Sequence, residues 1–436
     1  MQKTMLKFKV ETTEELITPN SGLTLYLELY RAAKVNKSVR DLFPKPGSAK
    51  GFQANVYVLS ILMLFLSGGK YIEDIRKLKL DKALKKVGKI GTIPSADAIG
   101  DWMRTNSEDK IKAIEHVNKK LSRRFLKKIM RKEHTLDIDA FSIFSGKDTA
   151  LHTYKGPKGY MPIVGHLAEL DWCIGYDFRE GNVPPAKANL EFLQSCFRNM
   201  PKGHKIKKVR IDSAGYQAEI FNWLDKKNVK FTVTAAKKGT ILPEVHLIPE
   251  KDWKPWKDKN GFPTDRMYAE TWAQMDKTDY FRIIVQRWPN PKQNLFEKAS
   301  EYCYYIIATN YSEEEKSARD VVLWHNQRGN SENYYKEKKY GFNLNYLPCD
   351  DFQANAFWFS MGIMAYNFHV FSKEYMLPVS WRQHTIQTVR WKLIHIAGKV
   401  VKHARNVYLK LAGISSDLLE IFNTARQRCW EVAFSP

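Results

Sequence analysis

What most restricts the fold of this chain is the change of hydrophobic period at His134. From there the order reads strand, strand, strand, helix, strand, helix, strand, and the first and fourth strands end in aspartate. Thr135 to Phe141 alternates polar and apolar residues at the two-residue period of a strand, with Tyr160 to Leu170 a second strand and Trp172 to Phe178 a third. A helix near Ala186 to Phe197, a strand from Ile206 to Asp212, a helix from Gln217 to Lys226 and a strand from Lys230 to Thr234 complete the series. This order predicts an α/β fold on a mixed sheet. If the first and fourth strands are neighbours, Asp139 and Asp212 lie side by side at strand ends.

The flanking segments read differently. Up to about Arg131 the chain is helical, with apolar residues at helical spacing in Ser21 to Asn36, Gln53 to Ser67, Tyr71 to Leu78 and Glu108 to Ile129, and with Ser95 placed to cap a helix. Short helices joined by tight turns suit either a helix-turn-helix DNA reader or an ordinary helical bundle. Residues 237–317 are rich in Trp, Tyr and charge, with strands such as Tyr280 to Gln286 and Tyr302 to Thr309, and read as a β-rich insertion. An apolar helix follows around Ala354 to Val370. The tail alternates near Gln387 to Ile396 and Asn406 to Leu411, and is basic before a closing helix from Asp417. The segments are therefore 1–131, 132–236, 237–317, 318–372 and 373–436.

Charge narrows the partners. Seventy Lys and Arg against 47 Asp and Glu give a formal charge of +23, which points to a polyanion: nucleic acid first, an anionic membrane second. The longest apolar stretches, Val56 to Leu66 and Asn355 to Phe371, fall short of the roughly 20 residues needed to cross a bilayer. No signal peptide is visible, so a cytoplasmic protein without a membrane role is expected. The five cysteines are scattered with no C-x-x-C pair, which predicts neither a disulfide framework nor a zinc site. The basic turn Lys155 to Gly159 lacks the Gly-Lys-Ser/Thr ending of a P-loop.

The run from His325 to Lys339 is dense in charge. Taken as one α-helix at about 100° per residue, it puts His325, Glu332, Lys336 and Lys339 within roughly 80° of Arg328, with Glu337 on the opposite side. One carboxylate among cations suits a site that holds a metal and a phosphodiester; a solvated face with i,i+4 ion pairs is the alternative. Approaching Asp139 and Asp212 from a covering helix, Glu332 would complete three carboxylates able to hold two divalent ions about 4 Å apart. Mg²⁺ fits, because it prefers hard oxygen ligands and keeps waters that substrate phosphates can replace.

These residues together resemble the DDE transposases of bacterial insertion sequences, in the cut-and-paste group with a Tyr-x2-Arg-x3-Glu-x6-Lys signature. His325, Arg328, Glu332 and Lys339 match that spacing, with His in place of the usual Tyr. Leu136 to Asp139 is similar to the family's first-acid strand, Arg210 to Tyr216 to its second-acid segment, and Phe352 to Phe357 through Ala365 to Asn367 to the helix after the third acid. The resemblance implies an RNase H-like mixed sheet core in two parts, 132–236 and 318–372, around the β-rich insertion. It also implies a helical N-terminal DNA-end-binding domain and a basic C-terminal region for DNA binding or dimerisation. It implies Asp139, Asp212 and Glu332 as catalytic ligands of two Mg²⁺ ions (Mn²⁺ substituting), with Arg328 and Lys339 on phosphate and His325 on DNA; Lys336 joins the DNA-binding set through its shared face. Asp137 lies on the same strand face as Asp139, so the first acid is one of these two, with Asp139 nearer the strand end. The expected partners are double-stranded DNA, as terminal inverted repeats and target, and a second copy of the chain on paired ends. A structure-selective nuclease and a catalytically idle DNA-binding protein are the alternatives.

Overall fold

The structure is a computed structural model that describes residues 5–6, 8–47, 51–236, 241–258, 260–275, 277–291 and 301–434; for 330–333 it describes the backbone without the side chains. The chain divides into two compact units, residues 106–370 and a second built from residues 1–105 together with 371–436.

The unit of residues 106–370 is organised on a nine-stranded mixed sheet. Its strands are β1 (Glu133–Ala140), β2 (Ile163–Leu167), β3 (Trp172–Asp177), β4 (Lys205–Ile211), β5 (Lys230–Thr234), β6 (Lys254–Lys257), β7 (Pro263–Ala273), β8 (Phe281–Pro289) and β9 (Tyr302–Thr309). They lie in the order β6-β7-β8-β9-β5-β4-β1-β2-β3. β1, β4 and β5 run parallel to one another; β2 pairs antiparallel with β1 on one side and with β3 on the other, so β3 runs in the direction of β1. The first and fourth strands of the sequence series are thus adjacent, which meets the condition for Asp139 and Asp212 to lie side by side. Tyr160 to Leu170 is not one strand, however: it divides into Lys158–Tyr160 and β2 at Met161-Pro162, where proline offers no amide for a ladder. The 237–317 region does not form a separate sheet. It extends the central one, with β9 pairing antiparallel to β5.

Helices cover both faces. α1 (Ser107–Lys127) packs through Phe125, whose ring lies 4.1 Å from that of Trp172, and its Ser122 hydroxyl accepts from the Trp172 indole at 3.0 Å. α2 (Asn189–Asn199) approaches β2 and β3 closely at Gly165 and Gly175, where a Cβ would come within 2.8 and 2.5 Å of the Cys196 sulfur, so a larger residue would force the Cys196 side chain or α2 to shift. α3 (Ala218–Lys226) packs Phe221 against Phe231 of β5, the rings 4.5 Å apart and tilted by 45°. The apolar run becomes α6 (Phe352–Phe371), after α4 (Ala318–Asn326) and α5 (Ser331–Lys336). α6 is buried almost all round, which explains its lack of a polar stripe. Two of its polar residues serve backbone groups. Asn367 accepts from the Cys173 amide at 3.1 Å and donates to the Cys173 carbonyl at 2.9 Å on the outer strand β3, and Asn355 does the same for Cys349.

In the other unit, N- and C-terminal segments interlock. Arg390 donates to the Phe65 and Leu66 carbonyls at the end of helix Ala54–Ser67, and Gly22 passes so close to Leu393 that a Cβ would lie 2.1 Å from its carbonyl oxygen. Ser95 caps the helix Ala96–Arg104, as its position predicts. The stretch Gln387 to Ile396, expected as a strand, is instead a helical turn Ile386–Val389, capped by Thr385, running into a π-turn Arg390–Ile394. Asn406–Leu411 does form a strand, paired with Gly398–His403 in a basic hairpin. No single helix among the described residues is long and apolar enough to cross a membrane.

Replacing Asn367 by Leu leaves an amide and a carbonyl of β3 buried without their partner. A loss on the order of 2–4 kcal/mol is expected in urea denaturation, because each orphaned group carries its desolvation penalty; a change within error would contradict the role assigned to Asn367.

Candidate active site

Two aspartates come together because two parallel strands end together. β1 and β4 are in register through Ile138 and Ile211, so the next residues, Asp139 and Asp212, sit at adjoining strand ends. The carboxyl ends of parallel strands are where ligands bind in open α/β sheets. Asp212 caps a 3₁₀ turn, Ser213–Gly215, by accepting from the Ala214 amide at 3.0 Å. Asp139 remains half-buried. Burial first, then the neighbouring Asp212 charge, push its carboxyl up to about 7 against the opposing pull of Arg328, whose Nη1 lies 3.6 Å from Asp139 Oδ2.

Asp137 occupies the same sheet face but a different environment. Arg210 of β4 grips it from two nitrogens, at 2.6 and 2.7 Å, and both side chains are almost fully buried. Arg210 also donates to the Trp324 carbonyl at 2.8 Å. Asp137 is therefore neutralised inside the protein, and Asp139 is the acid left facing Asp212.

The charged run does not form one α-helix. α4 ends at Asn326, a 3₁₀ turn covers Gln327–Asn330, α5 covers Ser331–Lys336, and a π-turn covers Glu337–Gly341. Gly329, a poor helix former, lies in the 3₁₀ turn, and Arg210 occupies a carbonyl in the last turn of α4. A uniform angular step accordingly fails across the segment. Glu337 is not on an outer face: its Oε1 lies 3.3 Å from His369 Nε2 of α6, and its side chain is 13% exposed. Glu332 is carried by α5, and its side chain lies outside the described residues.

His325 requires a correction. Expected to touch DNA, it is 1% exposed, with Nδ1 2.8 Å from the Thr232 hydroxyl and Nε2 3.0 Å from that of Thr234, both on β5. Burial, with Arg328 and Arg210 nearby, lowers its pKa to about 3, so it is a neutral ring fastening α4 to the sheet.

The cations separate by exposure. Lys336 is exposed and Lys339 is half-buried, its ammonium 5.3 Å from the Phe141 ring just past β1. Burial and the nearby Lys155 both lower the Lys339 pKa; two ammonium groups in one field suit an anion between them. Tyr335, one turn before Lys339, packs its ring 5.2 Å from Phe141 and holds a buried hydroxyl that has no hydrogen-bond partner among the described residues. Phe141 and Tyr335 carried no motif signal, and Arg210 and Lys155 were noted only as part of the second-acid segment and of a basic turn; a charged Arg210 near the end of its strand is a sequence hint of a buried partner. Among the described residues no group of three His, Cys, Asp or Glu side chains is assembled that could hold a metal ion.

The raised Asp139 pKa has a stability consequence. The unfolded carboxyl ionises near 4 and the folded one at about 7, so folding is increasingly penalised between those pH values and fully penalised above them. In metal-free buffer at pH 8, Asp139→Asn is expected to gain on the order of 2–4 kcal/mol, with no gain below about pH 4, where both states hold the proton. Urea denaturation across this range checks it; a gain independent of pH would contradict the coupling.

No curated protein sequence matches the chain. Among solved structures it is similar to a piggyBac transposase synaptic complex with hairpin DNA determined by cryo-EM, at 9% identity and a TM-score of 0.49 over 86% of this chain and 80% of that one. Residues 2–428 match the family model described as transposase DDE domain, group 1, and the chain belongs to that family.

Proposed function

We propose that this protein binds the terminal inverted repeats of its own element, cuts the DNA by metal-dependent phosphodiester hydrolysis and joins the 3′-hydroxyl ends to target DNA. The observation that carries the reading is the meeting of Asp139 and Asp212 at adjoining strand ends beneath the segment that bears Arg328 and Glu332, in a chain matched over nearly its whole length by a DDE transposase family. The order β3-β2-β1-β4-β5, with β2 alone antiparallel to both its neighbours, supports an RNase H-like core.

The donor chemistry fits a hard divalent cation. Asp139 and Asp212 offer carboxylate oxygens, burial and then the Asp212 charge raise the Asp139 pKa, and Mg²⁺, or Mn²⁺ in its place, favours such ligands. Asp139, Asp212 and Glu332 would hold it. When bound, two such ions supply Lewis-acid activation of the attacking hydroxyl or water and charge stabilisation at the leaving oxygen. The chain's own cations would do the rest: Arg328 lies beside Asp139, and Lys339, with Lys155 nearby, and the exposed Lys336 would hold phosphate oxygens.

A second basic surface supports duplex DNA as partner. In the unit of residues 1–105 and 371–436, helix Lys82–Val87 packs beside the hairpin Gly398–His403 and Asn406–Leu411. Exposed Lys82, Lys86, Lys399, Lys402, Arg405 and Lys410 line these elements and suit phosphate contacts whose strength falls with salt. Action by two copies on paired ends, in a bacterial cytoplasm, belongs to the same proposal.

Glu332→Ala is expected to abolish cleavage of cognate ends while end binding in a gel-shift assay stays near normal, and Glu337→Ala to keep cleavage. Full activity of Glu332→Ala would overturn the assignment. With precut ends the wild-type chain is expected to join them to target DNA; cutting without joining would identify a nuclease instead.

A further inference from the structure

The segment that carries Glu332 is held at both ends by buried cations. At its start, Arg210 reaches from the Asp137 pair to the Trp324 carbonyl. At its end, Lys338 is fully buried, its ammonium donating to His166 Nε2 at 2.6 Å and to the Tyr334 carbonyl at 3.2 Å, with the Tyr366 ring centroid 3.7 Å away. His166 lies on β2 in register with Asp137 on β1, so both side chains project from one face of the sheet. Because Nε2 accepts, the imidazole proton sits on Nδ1, which is buried without a hydrogen-bond partner among the described residues.

This arrangement is costly. Burial lowers the Lys338 pKa to about 8, and the ionisable groups around it are Glu337 beside it, Asp171 in the β2–β3 turn, the Cys173 thiol, His166 and the phenols of Tyr334, Tyr335 and Tyr366. Among the described residues none of the carboxylates forms an ion pair with it. A methionine would fill a similar volume without burying a charge, and such replacements of buried charges are often neutral or stabilising. Stability alone therefore does not account for a lysine here, whereas directed hydrogen bonds fix an orientation that apolar packing leaves loose.

We propose that Lys338 and His166 are a positioning pair for the cleavage reaction: their bond ties the π-turn to β2 and so holds α5, with Glu332, over the strand ends that carry Asp139 and Asp212. The inference rests on the reading above, in which Glu332 acts with the two aspartates.

The test compares Lys338→Met, His166→Leu, His166→Gln and the Lys338→Met/His166→Leu double variant in the full-length chain. For Lys338→Met the melting temperature is expected to be unchanged or raised and end binding unchanged. Its single-turnover cleavage is expected to fall about 30-fold or more, since only the placement of reacting groups is lost. Without DNA or metal, amide exchange across residues 327–336 is expected to quicken about tenfold, with the rest of the sheet unaffected. His166→Leu should lose cleavage and quicken exchange alike but melt lower, because it leaves the buried Lys338 ammonium without that acceptor; the double variant should cleave no worse than either single change, and His166→Gln, which keeps an acceptor near Nε2, should retain most activity. Cleavage and exchange at wild-type levels in Lys338→Met overturn the pair; if that variant fails to fold, the double variant, which leaves no buried charge, decides by the same two readings. A wild-type chain that cuts no ends defeats the functional reading, while the exchange measurement still tests the pair on its own.

Discussion

The buried ion pair between Asp137 and Arg210 sets the rest of the site. Two charges inside the sheet face are tolerated because the guanidinium bonds both carboxylate oxygens and spends a further N–H on the Trp324 carbonyl. Removing one partner from such a pair typically costs about 3–5 kcal/mol, since the other charge is left uncompensated. The pair joins β1 to β4 two residues before Asp139 and Asp212, and it joins both strands to α4. It also absorbs one acid of the Asp137-x-Asp139 sequence, which leaves Asp139 to meet Asp212.

From that anchor the site extends along one sheet face. His325 fastens α4 to the β5 threonines, Arg328 reaches Asp139, and Tyr335 and Lys339 close on Phe141 just past β1. The arrangement gathers negative charge at the strand ends and positive charge on the segment above. Asp139 pays for this with an unfavourable ionisation that no neighbouring cation fully offsets, a local instability of the kind expected where function and stability compete. A divalent cation and a phosphodiester together supply charges that would complete it.

Much of this was legible before any coordinates. A two-residue period broken by short helices announced the sheet, and aspartates closing the first and fourth strands announced where two acids would meet, because parallel neighbours end together. The choice between Asp137 and Asp139 was not legible, since strand spacing gives both the same face; only the partner Arg210, 73 residues away, separates them. The helical angles drawn for His325 to Lys339 failed because tertiary bonds to Trp324 and Lys338 override a uniform pitch. His325 was misread for the same reason: the threonines that bury it lie 91 and 93 residues away and leave no local trace. The joining of β9 to β5, and of the chain's first 105 residues to its last 66, likewise depends on long-range pairing that periodicity does not encode.

The central claim is that Asp139 and Asp212 together hold a divalent cation. Calorimetric titration of Mn²⁺ into the DNA-free protein tests it directly, with the wild-type chain beside Asp139→Asn and Asp212→Asn. The account predicts saturable binding to the wild type that disappears in both variants while their melting temperatures stay at or above that of the wild type. Undiminished Mn²⁺ binding in both variants would contradict it.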